Sequence, residues 1–387
     1  MKIAVVHEDI NAGGGAEAVL ANTLQAVQTR HEVTLFTVTE CNLESLNDYH
    51  GTSVEPERVT VLNPLPSSVD TTLRLLERLV VRTLPITKLK DIKSSIMKRH
   101  LETRDTEYDV FVCTQGELST SAPSVNYIHF PFLSPVATKE YLEEGTLQSL
   151  GRRLQRIIER PAPDLYDSTT LITNSSWTAD IISEVYDIAA TVVNPPIDAS
   201  EFDPQPWGER EDGFVAVGRV VPSKRHDELI GVLDALVNQK VDTHLHIVGG
   251  LQSTKYCEKV RSLASERPYI SVEGTLPHEE LCTLLNTHKY GLHGMEYEHF
   301  GMVVAEMRTA GMLPFAHDSG GQVETVNERS ELLYSTFDEL VEELHTVVTD
   351  ESLQYELRDQ LTSSEIEFTA EKFRARMREI IEQRATD

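Results

Sequence analysis

An α/β protein made of two doubly wound parallel-sheet domains is what this sequence predicts, and three observations carry the expectation. The chain has 387 residues, beyond the length at which a single hydrophobic core usually stops growing. Short β-rich runs alternate with longer amphipathic stretches in both halves, the grammar of βαβ units. Between the halves lies a stretch broken by proline and glycine, where neither helix nor strand propagates.

The elements follow in chain order. Lys2 to His7 reads as a strand, Ala16 to Val27 as an amphipathic helix, Val33 to Phe36 as the next strand and Val110 to Cys113 as a later one. In the second half Gly213 to Val217 reads as a strand, Asp227 to Val237 as a helix and His244 to Val248 as another strand. The run Val192-Val193-Asn194-Pro195-Pro196-Ile197-Asp198 and the broken stretch from Asp203 to Gly213 put the boundary between domains at 1–197 and 198–365. The last pattern, Ala370 to Gln383, is a charged amphipathic helix, so segment 366–387 is expected to cross back and pack on the first domain.

Charge and composition narrow the class of partner. There are 62 Asp and Glu against 35 Lys and Arg, a formal charge of -27, which argues against nucleic acid. Arginine is about twice as frequent as lysine and the acids are scattered along the chain, the pattern of a halophile's surface, with an ordinary acidic cytosolic enzyme as the alternative. Cys41, Cys113, Cys257 and Cys282 show neither disulfide nor zinc spacing, and read as small core residues in a reducing compartment. The chain opens on a strand pattern without a basic and then apolar leader, and no stretch approaches the ~20 apolar residues of a membrane span, so a cytoplasmic location is expected. Asn174-Ser175-Ser176 fits a glycosylation acceptor by letters alone.

One segment runs against the overall charge. From Leu73 to Arg104 there are nine Arg and Lys against three acids, with Leu75, Leu76, Leu79 and Val80 forming a stripe beside Arg74, Arg78 and Arg82. Gly151 to Arg156 adds a second basic cluster. Such a helix either rests on an anionic membrane at its cytoplasmic face or turns its stripe to the core.

A nucleotide-diphosphate donor needs amides and cations for its phosphates, an acceptor for its ribose hydroxyls and polar groups to fix its sugar. After the first strand, Asn11-Ala12-Gly13-Gly14-Gly15-Ala16-Glu17 is a glycine turn opening a helix. There the amides of Gly14 and Gly15 can approach an anion, although a simple tight turn reads the same way. In the second half Gly218-Arg219-Val220-Val221-Pro222-Ser223-Lys224-Arg225 sets cations at the carboxyl edge of a sheet. Arg219 would fork onto one phosphate and Lys224 act as a point charge on the other; cations on a solvated loop are the alternative.

The most specific stretch runs from Gly291 to Gly311. A strand ends near His293 and a helix starts at Phe300 or Gly301, so Glu298 sits in the loop and Glu306 about two turns inside the helix. The helix start at Phe300, Gly301 and Met302 would offer amides to phosphate, Glu298 would hold sugar hydroxyls and Glu306 the ribose; two acids near a helix start are otherwise simple dipole complements. Asp318 to Glu324 forms a further glycine turn. His244 and His246 alternate on a strand and read as structural, since no third ligand is apparent.

These residues resemble family 4 retaining glycosyltransferases, which have the GT-B fold of two Rossmann-like halves facing across a cleft. Glu298 and Glu306 match that family's E-x7-E motif, Gly218, Arg219 and Lys224 its glycine-arginine and downstream lysine, and Gly14-Gly15-Ala16-Glu17 its N-terminal turn. Asn174-Ser175, Asn194-Pro195-Pro196-Ile197-Asp198 and Ser319-Gly320-Gly321 match its signposts, and Phe368 to Phe373 its crossover helix. Locally, Leu292 to Gly311 and Ala316 to Gly321 look most like dolichol-pathway α-1,2-mannosyltransferases. One departure is Gln322, where the family often has proline.

The resemblance implies hexose transfer, with mannose from GDP-mannose as the leading donor, to a glycan or polyprenyl-phosphate-linked acceptor. Retention would come from front-face attack assisted by the departing diphosphate, with no cofactor and no obligatory metal. It also implies that His129 lies against the transferring sugar. A UDP-hexose transferase, a nucleotide-sugar epimerase or hydrolase on the same architecture, and a non-catalytic nucleotide-sugar-binding accessory protein remain open. A dinucleotide dehydrogenase fits less well, since the first glycine turn lacks the full fingerprint.

Overall fold

The computed structural model describes residues 1–10, 14–65, 86–101, 104, 106–142, 146–159, 169–251, 254–363 and 368–386. The chain divides into two units, Met1–Pro196 with Ala370–Asp387, and Ile197–Thr369.

In the first unit β1 (Lys2–Val6), β2 (Glu32–Phe36), β3 (Val59–Leu62), β4 (Val110–Cys113), β5 (Ser124–Ile128), β6 (Thr169–Thr173) and β7 (Thr191–Val192) form a sheet in the order β3-β2-β1-β4-β5-β6-β7. All pairings are parallel; Ile3, for example, pairs with Val33 on one side and Val110 on the other. Because both faces are covered, the central strands read as continuous apolar runs. Alternation still sorts them: Ile3, Val5, Val33 and Val112 enter one core, while Ala4, Val6, Phe36 and Phe111 enter the other.

The C-terminal helix Ala370–Arg384 buries Phe373, Met377, Ile380 and Ile381 in the first of these cores. Its Arg374 donates to Asn22 Oδ1 at 2.8 Å on the helix Gly15–Val27. An apolar stripe with charged flanks thus returns the end of the chain to the unit it started from.

The described part of the basic segment is the helix Ile86–Leu101. Met97 and Leu101 are buried, and Lys93 and Lys98 are each only 5% exposed. Lys98 Nζ lies 2.7 Å from Glu8 and 3.9 Å from Glu159. Lys93 and Lys98 are therefore turned inward while Arg99 is exposed, and Arg74, Arg78 and Arg82 lie outside the described residues. In the second basic cluster Arg152 sits 4.5 Å above the Phe132 ring. Among the described residues no helix is long and apolar enough to cross a membrane.

In the second unit β8 (Glu211–Val217), β9 (Leu245–Val248), β10 (Ile270–Gly274), β11 (His288–His293), β12 (Leu313–His317) and β13 (Leu333–Tyr334) are parallel, in the order β10-β9-β8-β11-β12-β13. β8 begins two residues earlier than expected, because the chain break is confined to the turn Trp207–Glu209, where Trp207 is buried. Phe214, Leu245, Ile247, Tyr290 and Leu292 build the core on one face, and Val215, Val248, Met307 and Met312 pack on the other. Strand order reverses direction between β8 and β11, and in such sheets ligands bind at the carboxyl ends beside that point.

Candidate functional site

At the carboxyl end of β8 the backbone makes a close crossing. Gly218 has φ +150° and Gly249, just after β9, φ +151°. A Cβ on Gly249 would lie 1.9 Å from the Gly218 carbonyl oxygen. The Gly218 N–H donates to Val248 O at 2.9 Å and the Val220 N–H to Gly250 O at 3.2 Å. This clasp sets out the loop carrying Arg219 and Lys224. Arg219 is exposed, and its side chain makes no hydrogen bond or ion pair among the described residues, so its cation is unspent.

Lys224 meets the end of β11. Its Nζ lies 2.6 Å from Glu298 Oε2 and 3.1 Å from Nε2 of His293, and His293 Nε2 is 3.5 Å from the same carboxylate oxygen. Burial pushes the Glu298 carboxyl upward, but the Lys224 charge and His293 outweigh it and hold the group well below the usual carboxylate range. Burial first, then Lys224, lowers the His293 imidazole, against the pull of Glu298. Its carbonyl is fixed by the buried Tyr334 hydroxyl, which donates to it at 2.8 Å. His293 and Tyr334 were given no role from sequence: their place in the cluster depends on strand ends that meet only in three dimensions.

The loop holding Glu298 is pinned by the turn at 319–322. The Tyr297 N–H donates to Ser319 Oγ at 2.9 Å and the Gly321 N–H to Glu298 O at 2.8 Å. Gly320 has φ +73°, and a Cβ there would lie 2.4 Å from Glu298 O. The Gln322 side-chain amide donates to the carbonyls of Met295, His317 and Ser319 at 2.8, 3.0 and 3.1 Å. The departure from proline therefore has a physical role, since a proline ring has no such donor. Replacing fully buried Gln322 with leucine is expected to destabilise the second unit by about 2–4 kcal/mol, the cost of orphaning buried acceptors. A denaturant melt of the whole chain checks this.

The helix beyond the loop is Met302–Thr309, capped by Gly301 at φ +88°. Glu306 is its fifth residue, just over one turn in rather than two. Phe300, expected to offer its backbone amide, has its side chain in the core. Its side chain is 3% exposed and packs with Ile197, Ala305 and Phe368, the Phe368 ring centroid at 5.9 Å, so it supports the helix start as core and presents no ring to a ligand. Met302 packs against the same cluster. The Glu306 side chain makes no hydrogen bond among the described residues. Burial, and then the charge of Glu201, raises its carboxyl to about 7. Its acceptor capacity is unspent.

In the first unit the glycine turn is partly self-satisfied. The Gly14 N–H donates to Glu17 Oε2 at 2.7 Å, so that amide is not free for phosphate as expected. Glu17 is 2% exposed; burial raises its carboxyl, but His7, 3.6 Å away, and the Gly14 amide bring it below the usual range. Gly15 is the first residue of its helix, and Asn11 to Gly13 lie outside the described residues. His129 follows β5, its Nε2 3.1 Å from Thr114 O. The Asn174 amide donates to His129 O at 3.0 Å and the Asn194 amide to Asn174 O at 3.0 Å. Those asparagines therefore brace His129, while the Ser175 hydroxyl accepts from the Thr178 N–H to cap the helix Ser176–Tyr186.

Sequence reading also left His244 and His246 without a third partner. His288 joins them, 44 residues from His244 in sequence, with its Nε2 3.1 Å from His244 Nε2.

A free arginine, a lysine–carboxylate–histidine cluster and an unpartnered glutamate all belong to the second unit, and the two parallel-sheet units give the chain the GT-B fold. Residues 198–366 match the family described as glycosyl transferases group 1, and that stretch falls within the second unit. Human GDP-Man:Man(3)GlcNAc(2)-PP-Dol alpha-1,2-mannosyltransferase is 25% identical over 366 residues, 83% of this chain and 73% of that protein. The protein of the same name from Dictyostelium discoideum is 25% identical over 286 residues, 64% of this chain and only 56% of that protein's length. Among solved structures, WaaG, a glycosyltransferase involved in lipopolysaccharide biosynthesis, superposes with a TM-score of 0.70 at 14% identity, covering 98% of this chain and 99% of that one. HepE from Anabaena, in complex with UDP and glucose, gives 0.67 at 15% identity over 99% of each chain.

Proposed function

We propose that the chain transfers mannose, with retention, from GDP-mannose to a lipid-linked glycan. The observation that carries the reading is the Lys224–Glu298–His293 cluster in the same unit as the unpaired Arg219 and the unspent Glu306. The two cations suit a diphosphate: Arg219 is free, and Lys224 would share its charge between phosphate and Glu298. Glu298, held ionised, would accept from sugar hydroxyls, and Glu306 from the ribose. In the step itself the bond from sugar C1 to the phosphate oxygen breaks and one from C1 to the acceptor hydroxyl oxygen forms on the same face. The hydroxyl proton goes to the departing diphosphate, whose charge the cations stabilise. The choice of GDP-mannose and of a lipid-linked acceptor is supported by the relatives' names, which specify that chemistry for those proteins.

The test is incubation with radiolabelled GDP-mannose and a polyprenyl-diphosphate oligomannoside, with UDP-glucose in parallel. Label moving from GDP-mannose into the lipid phase, in an α linkage, is the expected result. Transfer from UDP-glucose alone would replace the donor, and release of free sugar without acceptor dependence would make the protein a hydrolase.

The raised Glu306 carboxyl adds a pH dependence. Only the ionised form accepts from both ribose hydroxyls, so GDP affinity of the wild type relative to Glu306→Gln should rise between about pH 6 and pH 8. For the free protein the sign is opposite. The folded chain keeps this proton up to about 7, against 4.5 for the ordinary group, so the stability Glu306 contributes is fully present below the lower value and lost as pH rises through the upper one. Thermal melts of the two proteins across that range check the second statement.

A further inference from the structure

We propose that His244, His246 and His288 form a binding site for one divalent transition-metal ion, with zinc as the expected occupant, near the amino-terminal edge of the second unit's sheet. One ring nitrogen from each histidine can be chosen so that all three lie within 4.8 Å of one another. His244 Nε2 and His288 Nε2 are 3.1 Å apart. Two nitrogens bound at ~2.0–2.1 Å to a tetrahedral ion are separated by about 3.3 Å, so this pair is already near coordination distance.

The remaining ring atoms are arranged as metal-bound histidines require. His246 Nδ1 lies 2.7 Å from Glu273 Oε1, and His288 Nδ1 2.9 Å from Leu284 O and 3.1 Å from Thr287 Oγ1. Each Nδ1–H thus has an acceptor, which leaves the lone pair on Nε2. Glu211 Oε2, 3.5 Å from His244 Nε2 and 3.9 Å from His288 Nε2, supplies the oxygen for a fourth position. Three imidazoles and a carboxylate suit zinc or a neighbouring first-row ion and not magnesium or calcium.

Two features of the backbone build this cluster. β8 runs between β9 and β11, and its Gly213 leaves the gap into which His244 folds: a Cβ there would lie 2.4 Å from His244 Nε2. β11 loses its regular register between His288 and Tyr290. As a result Lys289 and Tyr290 both reach Trp207, at 5.6 and 6.1 Å, while His288 joins the histidines of β9. The side chain of His288 is 3% exposed, but His244 and His246 remain 33% and 22% exposed, which leaves a path for an ion. His288 and His293 are five residues apart on β11, about 16 Å at ~3.3 Å per residue. The metal proposal therefore stands apart from the glycosyltransferase site and does not rest on it.

The experiment uses the full chain without a histidine tag, dialysed against zinc and then against buffer, with elemental analysis. Cobalt is titrated in parallel and read by its visible absorption. One zinc per chain and the intense bands of tetrahedral cobalt are expected, both lost or weakened at least tenfold in His246→Gln, with a smaller loss in Gly213→Ala. His246 is partly exposed, so its variant should keep the fold, and zinc should raise the melting temperature of the wild type but not of the variant. Absence of stoichiometric zinc in the wild type, or equal uptake by a His244→Gln/His246→Gln double variant, would overturn the proposal.

Discussion

Replacing Lys224 with alanine should lower kcat/KM for sugar transfer by about 100- to 1,000-fold, the range seen when a preorganised stabiliser of transition-state charge is removed. The fall should be in kcat more than in KM, because the charge on the leaving diphosphate grows as the glycosidic bond breaks. Lys224 also neutralises Glu298 at 2.6 Å, so a single replacement strands a largely buried carboxylate. The double variant Lys224→Met/Glu298→Gln separates the two effects. It should melt close to the wild type yet remain as inactive as the single variant, since two residues acting as one unit do not lose rate additively. Full activity in the double variant would mean that the cluster is a structural ion pair and that the chemistry lies elsewhere.

The largest effect on stability is expected at Gly249. Alanine there must adopt φ near +151°, and its Cβ would fall 1.9 Å from the Gly218 carbonyl oxygen. Backbone strain of ~1–3 kcal/mol and a forced shift of packed strand ends costing ~1–3 more make the expected loss about 2–6 kcal/mol. The shift must move Gly218 or Gly249, so residual folded protein should also bind nucleotide more weakly. Gly231→Ala is the matched control: it lies within the helix His226–Asn238, where a Cβ meets nothing within 4 Å. Equal melting points for Gly249→Ala and the wild type would show that the clasp is looser than described.

How much of this was readable in the amino-acid order depends on the range of the interaction. Strands and helices were legible because their periodicity is local: Val110–Cys113 was bounded correctly, and the helix expected at Asp227 to Val237 runs His226–Asn238. The separation of Glu298 from Glu306 was legible, but the number of turns between Glu306 and the helix start was not, because it depends on Gly301 entering a left-handed cap. Phe300 was expected to offer its backbone amide at that start; that its side chain packs against Ile197 and Phe368 was not legible, because tertiary contact sets it. The Gly14 amide was expected to be free, yet the signal for its use lay three residues on, in Glu17, as a helix-capping pair. His288 was invisible for a different reason. Its meeting with His244 and His246 needs an irregular β11 and a glycine on the strand between, neither of which leaves a periodic trace.

The central claim is that the second unit holds a nucleotide diphosphate, with Glu306 on its ribose, and titration calorimetry with GDP and UDP tests it most directly. The wild type should bind GDP more tightly than UDP, and Glu306→Ala should lose about ten- to a hundredfold in affinity, the worth of hydrogen bonds to a charged acceptor. Binding of neither nucleotide, or binding unchanged in the variant, would contradict the account.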